Sequence, residues 1–168
     1  EFSTDGGATW TNIANITDNE SYLNLTQTTA YRANVQNPGC TPAFSTPATV
    51  TISPTTVGGS LSSNNTVCAL ANGGSITLAG QTGTVQSWES SDDGGVTWNT
   101  ITNTTTTQTY TNLLTTTLYR SIVQSGVCPS DFSDTVTITV DQPTVGGSVQ
   151  TNTTVFSGTN SGTLNLTA

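Results

Sequence analysis

The chain predicts an all-β fold of tandem antiparallel β-sandwich modules, arranged as beads in an extended fibre. Three observations predict it. Residues n and n+88 match without a gap along the whole chain, and pairing 1–80 with 89–168 gives 35 identities. A period above 50 residues is too long for a solenoid turn or a propeller blade and is the size of one small all-β domain. Apolar residues alternate in short runs separated by turn residues about every ten positions, and no stretch carries a helical stripe.

The period divides the chain into the C-terminal part of a first repeat (1–53), a complete repeat (54–141) and the N-terminal part of a third (142–168). In the complete repeat the runs place strands near 57–62, 75–80, 85–91, 96–101, 107–112, 117–125 and 132–140. Period-two alternation turns Ile76, Leu78, Trp88, Tyr119, Val123, Val136, Ile138 and Val140 inward. The repeats meet at SPTTVGG (53–59) and DQPTVGG (141–147). Proline cannot donate to a ladder and Gly-Gly permits a sharp bend, so these segments are expected to be short, semi-rigid joints.

Composition narrows the function classes. Arg32 and Arg120, one per repeat at equivalent positions, are the only basic side chains, against ten acidic residues and a net charge of -8. That balance argues against nucleic acid and against anionic lipid, both of which demand cations. Mutual repulsion, and hence solubility at high density, is its plain consequence. Threonine supplies 39 of the 168 residues, a β-branched hydroxyl suited to strands whose outer face meets water. With no His and no Lys, nucleophilic or general-base catalysis has no candidate pair, and no cofactor is expected.

Cys68 and Cys128 lie 60 apart in the complete repeat, Cys40 is equivalent to Cys128, and the third repeat has Phe156 where Cys68 would recur. The expectation is a Cys68–Cys128 disulfide contributing about 4 kcal/mol in the chain-entropy model, with Cys40 bonded to a partner outside the chain. Spacing alone leaves a Cys40–Cys68 bridge between repeats open.

The sharpest local motif is S-x-D-x-G-x-T-W, present as Ser3, Asp5, Gly7, Thr9, Trp10 and again as Ser91, Asp93, Gly95, Thr97, Trp98. It is similar to the Asp-box of sialidases and related propellers. In physical terms the Asp carboxylate accepts backbone N–H groups across a tight turn, Gly supplies positive φ, and Trp is expected to bury against the sheet. A sialidase needs an arginine cluster and a Tyr–Glu pair, and the complete repeat holds one Arg, Arg120, and one Glu, Glu89. The motif is therefore read as structural. Arg32 and Arg120 are expected to point outward and meet an acidic or Thr side chain across the strands. Asp92 and Asp93 lack a calcium-loop pattern, so no metal is expected.

Trp88 on the third strand, and Tyr119 two residues before Ser121, resemble the inner Trp and second-Cys strand of an immunoglobulin-like (Ig-like) sandwich. The phrases WESSDDGGVTW, TTTLYRSIVQSGVC and SPTTVGGSLSS resemble the Ig-like repeats of giant cell-surface adhesins of gliding Bacteroidota, the SprB-type gliding-motility adhesins. That resemblance implies a non-catalytic segment of an extracellular filament, exported by type IX secretion and anchored at the outer membrane. It implies as partners the neighbouring repeats, surface polysaccharide or the substratum, and the gliding and secretion machinery through other parts of the protein. A carbohydrate-binding accessory module of a secreted glycanase is the alternative. A Thr ladder for ice or mineral has only Thr135, Thr137 and Thr139 to build on.

Overall fold

The computed structural model describes residues 1–62, 64–149 and 153–167. Among the described residues all sixteen regular elements are strands. The first repeat contributes β1 (Phe2–Ser3), β2 (Thr29–Tyr31), β3 (Asn34–Val35), β4 (Ala43–Phe44) and β5 (Ala48–Val50). The complete repeat contributes β6 (Ser60–Leu61), β7 (Asn65–Cys68), β8 (Gly73–Ala79), β9 (Thr84–Ser91), β10 (Asn99–Ile101), β11 (Thr107–Thr111), β12 (Thr117–Gln124), β13 (Asp131–Phe132) and β14 (Val136–Asp141). The third contributes β15 (Ser148–Val149) and β16 (Leu166–Thr167).

In the complete repeat two sheets face each other. One has the order β10-β9-β12-β14-β7 with β13 beside β12, and the other β11-β8-β6. Between them lie Ile76, Leu78, Val85, Trp88, Tyr110, Tyr119, Val123, Val136 and Ile138, all buried. Each inward residue expected from alternation is buried, and Trp88 and Val123 have no exposed surface at all. Trp88 keeps its one polar atom satisfied, its indole N–H donating to the Thr105 carbonyl at 2.9 Å. The all-β sandwich expected from the alternation, and Ig-like by the resemblance of Trp88 and Tyr119, is the fold of this repeat, antiparallel except for the parallel pair β7 and β14.

The fragments on either side follow the same plan. Phe2↔Tyr31 repeats as Ser90↔Tyr119, and Tyr31↔Ala48 as Tyr119↔Val136. Asn34↔Phe44 repeats as Ile122↔Phe132, and Ser60↔Ala79 as Ser148↔Thr167. Every one of these registers is offset by the sequence period. A shift of one residue would turn each inward side chain to solvent, so the shared register means a shared inner face.

Four expectations need correcting. The segment 57–62 forms only the short β6, with Val57 in an isolated bridge to Thr82. The run 96–101 begins pairing at Asn99, because Val96–Trp98 complete the turn clasped by Asp93. The run 132–140 splits at Ser133 and Asp134, where the Ser133 hydroxyl donates to the Asp134 carbonyl at 2.7 Å and the Asp134 carboxylate accepts from the Leu61 N–H of β6. Strand β7, with the four-residue sequence NTVC, is too short to show an alternation that announces it; it is held as a strand by its parallel pairing with β14 and by Val67 against the core.

That parallel pair fixes how the chain passes through the sandwich. Thr56 and Val57 enter beside Ser125 and Thr82, the Thr56 hydroxyl oxygen accepting from the Ser125 N–H at 3.1 Å. The chain leaves at Asp141, which pairs with Cys68. Strand β12, eight residues long, runs from the trailing end (Cys68, Leu113, Asp141) to the leading end (Thr56, Thr84, Gln124, Cys128). At about 3.3 Å per residue the two ends lie roughly 26 Å apart. All three cysteines are free. The expected Cys68–Cys128 disulfide is therefore not formed, because its cysteines sit at opposite ends of one sandwich and a disulfide requires Cα atoms within about 7 Å. The Cys40–Cys68 alternative fails likewise, since Cys40 occupies the leading end of the first repeat and Cys68 the trailing end of the second.

Candidate functional site

A constellation built twice is the clasped turn together with the arginine on the strand beside it. After β9 the chain reverses through Gly94 (φ 78°) and Gly95 (φ 93°), backbone that side-chain-bearing residues rarely adopt. Asp93 holds the reversal. Its carboxylate accepts from the Thr97 N–H at 2.9 Å, the Val96 N–H at 3.0 Å, and the Thr97 and Ser91 hydroxyls at 2.6 and 2.7 Å. The Ser91 oxygen in turn accepts from the Gly95 N–H at 2.8 Å. These donors, the Thr97 hydroxyl first, hold the Asp93 carboxyl well below the usual carboxylate range.

The first repeat reproduces the turn. Asp5 accepts from Thr9 and Ser3, Gly7 donates to Ser3, and Gly6 and Gly7 have φ 76° and 94°. The Asp5 carboxyl is depressed by the corresponding hydrogen bonds, that of the Thr9 hydroxyl first. The donors around Asp93 and Asp5 occupy both oxygens of each carboxylate, which leaves the motif as a clasp. Among the described residues no group of three or more His, Cys, Asp or Glu lies together in a way that would hold a metal ion.

Trp98 was expected to bury against the sheet. It is instead half-buried on the outer face, its indole N–H tied to the Gly95 carbonyl at 3.0 Å. There its ring forms one side of a sandwich around Arg120. The guanidinium carbon lies 3.9 Å from the Trp98 ring and 4.0 Å from the Phe132 ring, and Nε bonds Glu89 at 2.7 Å. Glu89 is the direct cross-strand neighbour of Arg120, so the acidic partner expected across the strands is present. Arg32 is held the same way by Trp10 at 4.1 Å, Phe44 at 4.0 Å and Glu1 at 2.7 Å. Both planar faces of each guanidinium are covered, so the arrangement contributes stability: about 0.5–2 kcal/mol per cation–π contact.

Two residues outside the motif hold positions that residue types did not announce. Asp131 accepts from the Gly58 N–H at 3.1 Å and Asp134 from the Leu61 N–H at 2.6 Å. They pin the GG part of the joint onto the sandwich that follows it. The signal was absent from the repeat comparison because the first repeat has Ala43 and Thr46 at these positions.

A hollow of about 310 Å³ in the first repeat is lined by Phe2, Ile13, Leu25, Thr29 and Tyr31 among others. These are the equivalents of Ser90, Ile101, Leu113, Thr117 and Tyr119. The hollow is the inner face of a half-sandwich, and Tyr22 beside it is 58% exposed while its equivalent Tyr110 is 5% exposed. The ring pair keeps its spacing, with centroids 6.4 Å apart for Tyr22–Tyr31 and 6.3 Å for Tyr110–Tyr119.

A family model, described as "Domain of unknown function (DUF8696)", matches residues 1–54 and again 57–142. No curated protein matches the chain. Among solved structures, the crystal structure of chicken CNTN1 FN1-FN3 domains is similar at 17% identity over 73% of this chain, with a TM-score of 0.36. The chain spans about half, 48%, of that chain's length.

Proposed function

The chain belongs to the DUF8696 family over two consecutive stretches, and from that premise we propose that it is a non-catalytic structural and adhesive segment of a long bacterial cell-surface filament. The observation that carries the reading is the path of the chain through the complete repeat. It comes in at one end of the sandwich, beside Ser125, and leaves at the other, beside Cys68. Repeats joined in that way string end to end, each adding roughly 35–45 Å from strands of about ten residues and the joint. The recurrence of one clasped turn and one arginine sandwich at the 88-residue spacing supports the same reading.

The finer assignment is a gliding-motility or attachment adhesin, extracellular and anchored at the outer membrane, whose contacts are neighbouring repeats and surface polysaccharide or substratum. Its work is reach and tensile resistance. Antibody against the repeat, located by electron microscopy on whole cells, tests the filament: label is expected along fibres extending from the surface. Label confined to secreted material, with glycan affinity in the isolated chain, would favour an accessory carbohydrate-binding module instead. Deleting the gene separates the motility role, with loss of surface spreading expected and unchanged spreading counting against it.

A further inference from the structure

We propose that consecutive repeats are clasped to one another by a disulfide across the joint, from the Cys68 position of one repeat to the Cys128 position of the next. The proposal rests on the reading of the chain as part of a tandem array, and it adds a covalent partner, a neighbouring copy of the same repeat. Cys68 stands at the trailing end, its Cα paired with that of Asp141, and the adjoining Ala69 N–H donates to the Asp141 carbonyl at 2.9 Å. Cys128 stands at the leading end, its Sγ 3.8 Å from the Ser53 carbonyl and 3.5 Å from that of Pro54. Ser53 and Asp141 are one position of the repeat. The same joint residue is thus flanked by the trailing cysteine of the repeat it closes and touched by the leading cysteine of the repeat it precedes.

The chain approaches both joints alike. The Ile52 N–H donates to the Thr28 hydroxyl at 3.1 Å, as the Val140 N–H does to Thr116 at 3.1 Å. A strand equivalent to β7 laid along this edge would set its cysteine one strand spacing, about 4.8 Å, from Ser53. Both cysteines would then neighbour the one residue Ser53, Cys128 through its Sγ, and a bridge needs their Cα atoms within about 7 Å of each other. The loop that carries the leading cysteine keeps its form in both repeats. The Cys128 N–H donates to Ser125 at 2.9 Å and Cys40 to Asn37 at 3.0 Å, while Gln124 and Gln36 donate to the two cysteine carbonyls at 2.9 and 3.0 Å. Each of the three cysteines of this chain then has its partner in a neighbouring repeat, which accounts for three free thiols in one chain. The joint after the third repeat, where Phe156 takes the Cys68 position, has no clasp.

The bond forms by thiol–disulfide exchange with a disulfide oxidant, a dithiol oxidoreductase or oxidised glutathione. The Cys128-position thiolate attacks one sulfur of the oxidant, and the other leaves as a thiol. The Cys68-position thiolate of the preceding repeat then attacks the mixed disulfide at the cysteine Sγ, releasing the second thiol. Two S–H bonds become one S–S bond, and both protons and both electrons end on the reduced oxidant.

The test uses the full chain lengthened by one in-register copy of residues 54–141, oxidised with glutathione disulfide at micromolar concentration. Linked peptides are identified by mass spectrometry without reduction. The expected link joins Cys68 of the first copy to Cys128 of the second within one molecule, and it is lost in Cys68→Ser of the first copy or Cys128→Ser of the second. A link within one copy, links only between molecules, or thiols left free on chains with native tryptophan fluorescence would each overturn the clasp. Because the lengthened chain supplies the joint by design, such a failure would leave the filament reading to its own test on whole cells.

Discussion

Asp93 shows how one side chain can set a turn, and the linkage has a definite sign. Its folded pKa lies below the unfolded value of about 3.9, so the stabilisation is fully present above that value and is lost as pH falls through the folded pKa. Asp93→Asn is expected to lower stability at neutral pH and to flatten its decline below about pH 4. Denaturant titrations of both proteins from pH 7 to pH 2 measure this, and parallel curves would argue against the clasp as the titrating element. Ser121 makes the opposite case. Its backbone N–H bonds the Ser133 hydroxyl at 2.9 Å, while its own fully buried hydroxyl oxygen has no hydrogen-bond partner. An orphaned buried polar group costs about 1–3 kcal/mol, so Ser121→Ala is expected to leave stability unchanged or raise it by up to about 1 kcal/mol. A thermal melt distinguishes that from the loss expected had the hydroxyl been used.

At the level of elements, the inner face was legible and the edges were not. Trp88, Tyr119, Val123 and Ile138 declare themselves by alternation, because a sandwich core demands apolar side chains at every second position. Strand β7 is four residues at a sheet edge, too few to show a period, and its pairing with β14 is what sets it apart from the turns around it. The cysteines were misread for a related reason: sequence distance says nothing of which end of a sandwich a loop occupies. The roles of Asp131 and Asp134 were equally invisible, since the N–H groups they hold belong to a joint more than 70 residues away. That joint yields an internally controlled prediction. A Cβ on Gly58 would overlap the Phe132 carbonyl, whereas one on the equivalent Gly146 meets nothing within 4 Å. Gly58→Ala is expected to cost about 1–3 kcal/mol in chemical denaturation and Gly146→Ala almost nothing. Equal effects would mean that the leading segment is not docked on β13.

Across the whole molecule, tension applied along the chain reaches the complete sandwich at the docked segment 56–61, and once that yields it falls on β7 and β14, which run parallel. Pulling the ends apart slides these strands along each other and loads their hydrogen bonds together, where an antiparallel terminal pair would open one bond at a time. In single-molecule stretching one repeat is expected to release roughly 250–280 Å on unfolding, the contour of 88 residues less the folded length. Reductant should leave that length unchanged in this chain, because no bridge lies within the sandwich. A shorter release that lengthens with reductant would restore a Cys68–Cys128 bond inside the repeat.

The arginine sandwich has a consequence for survival among digestive enzymes. Arg32 and Arg120 are the only basic side chains, and therefore the only places where trypsin can cut. Arg120 lies in mid-strand between two rings and Arg32 directly after β2 in the same setting. Cleavage needs such a residue drawn out of its strand and into an enzyme's cleft, which the folded repeat prevents. The folded repeat therefore offers trypsin nothing to cut until it opens, so the rate of cutting measures opening itself.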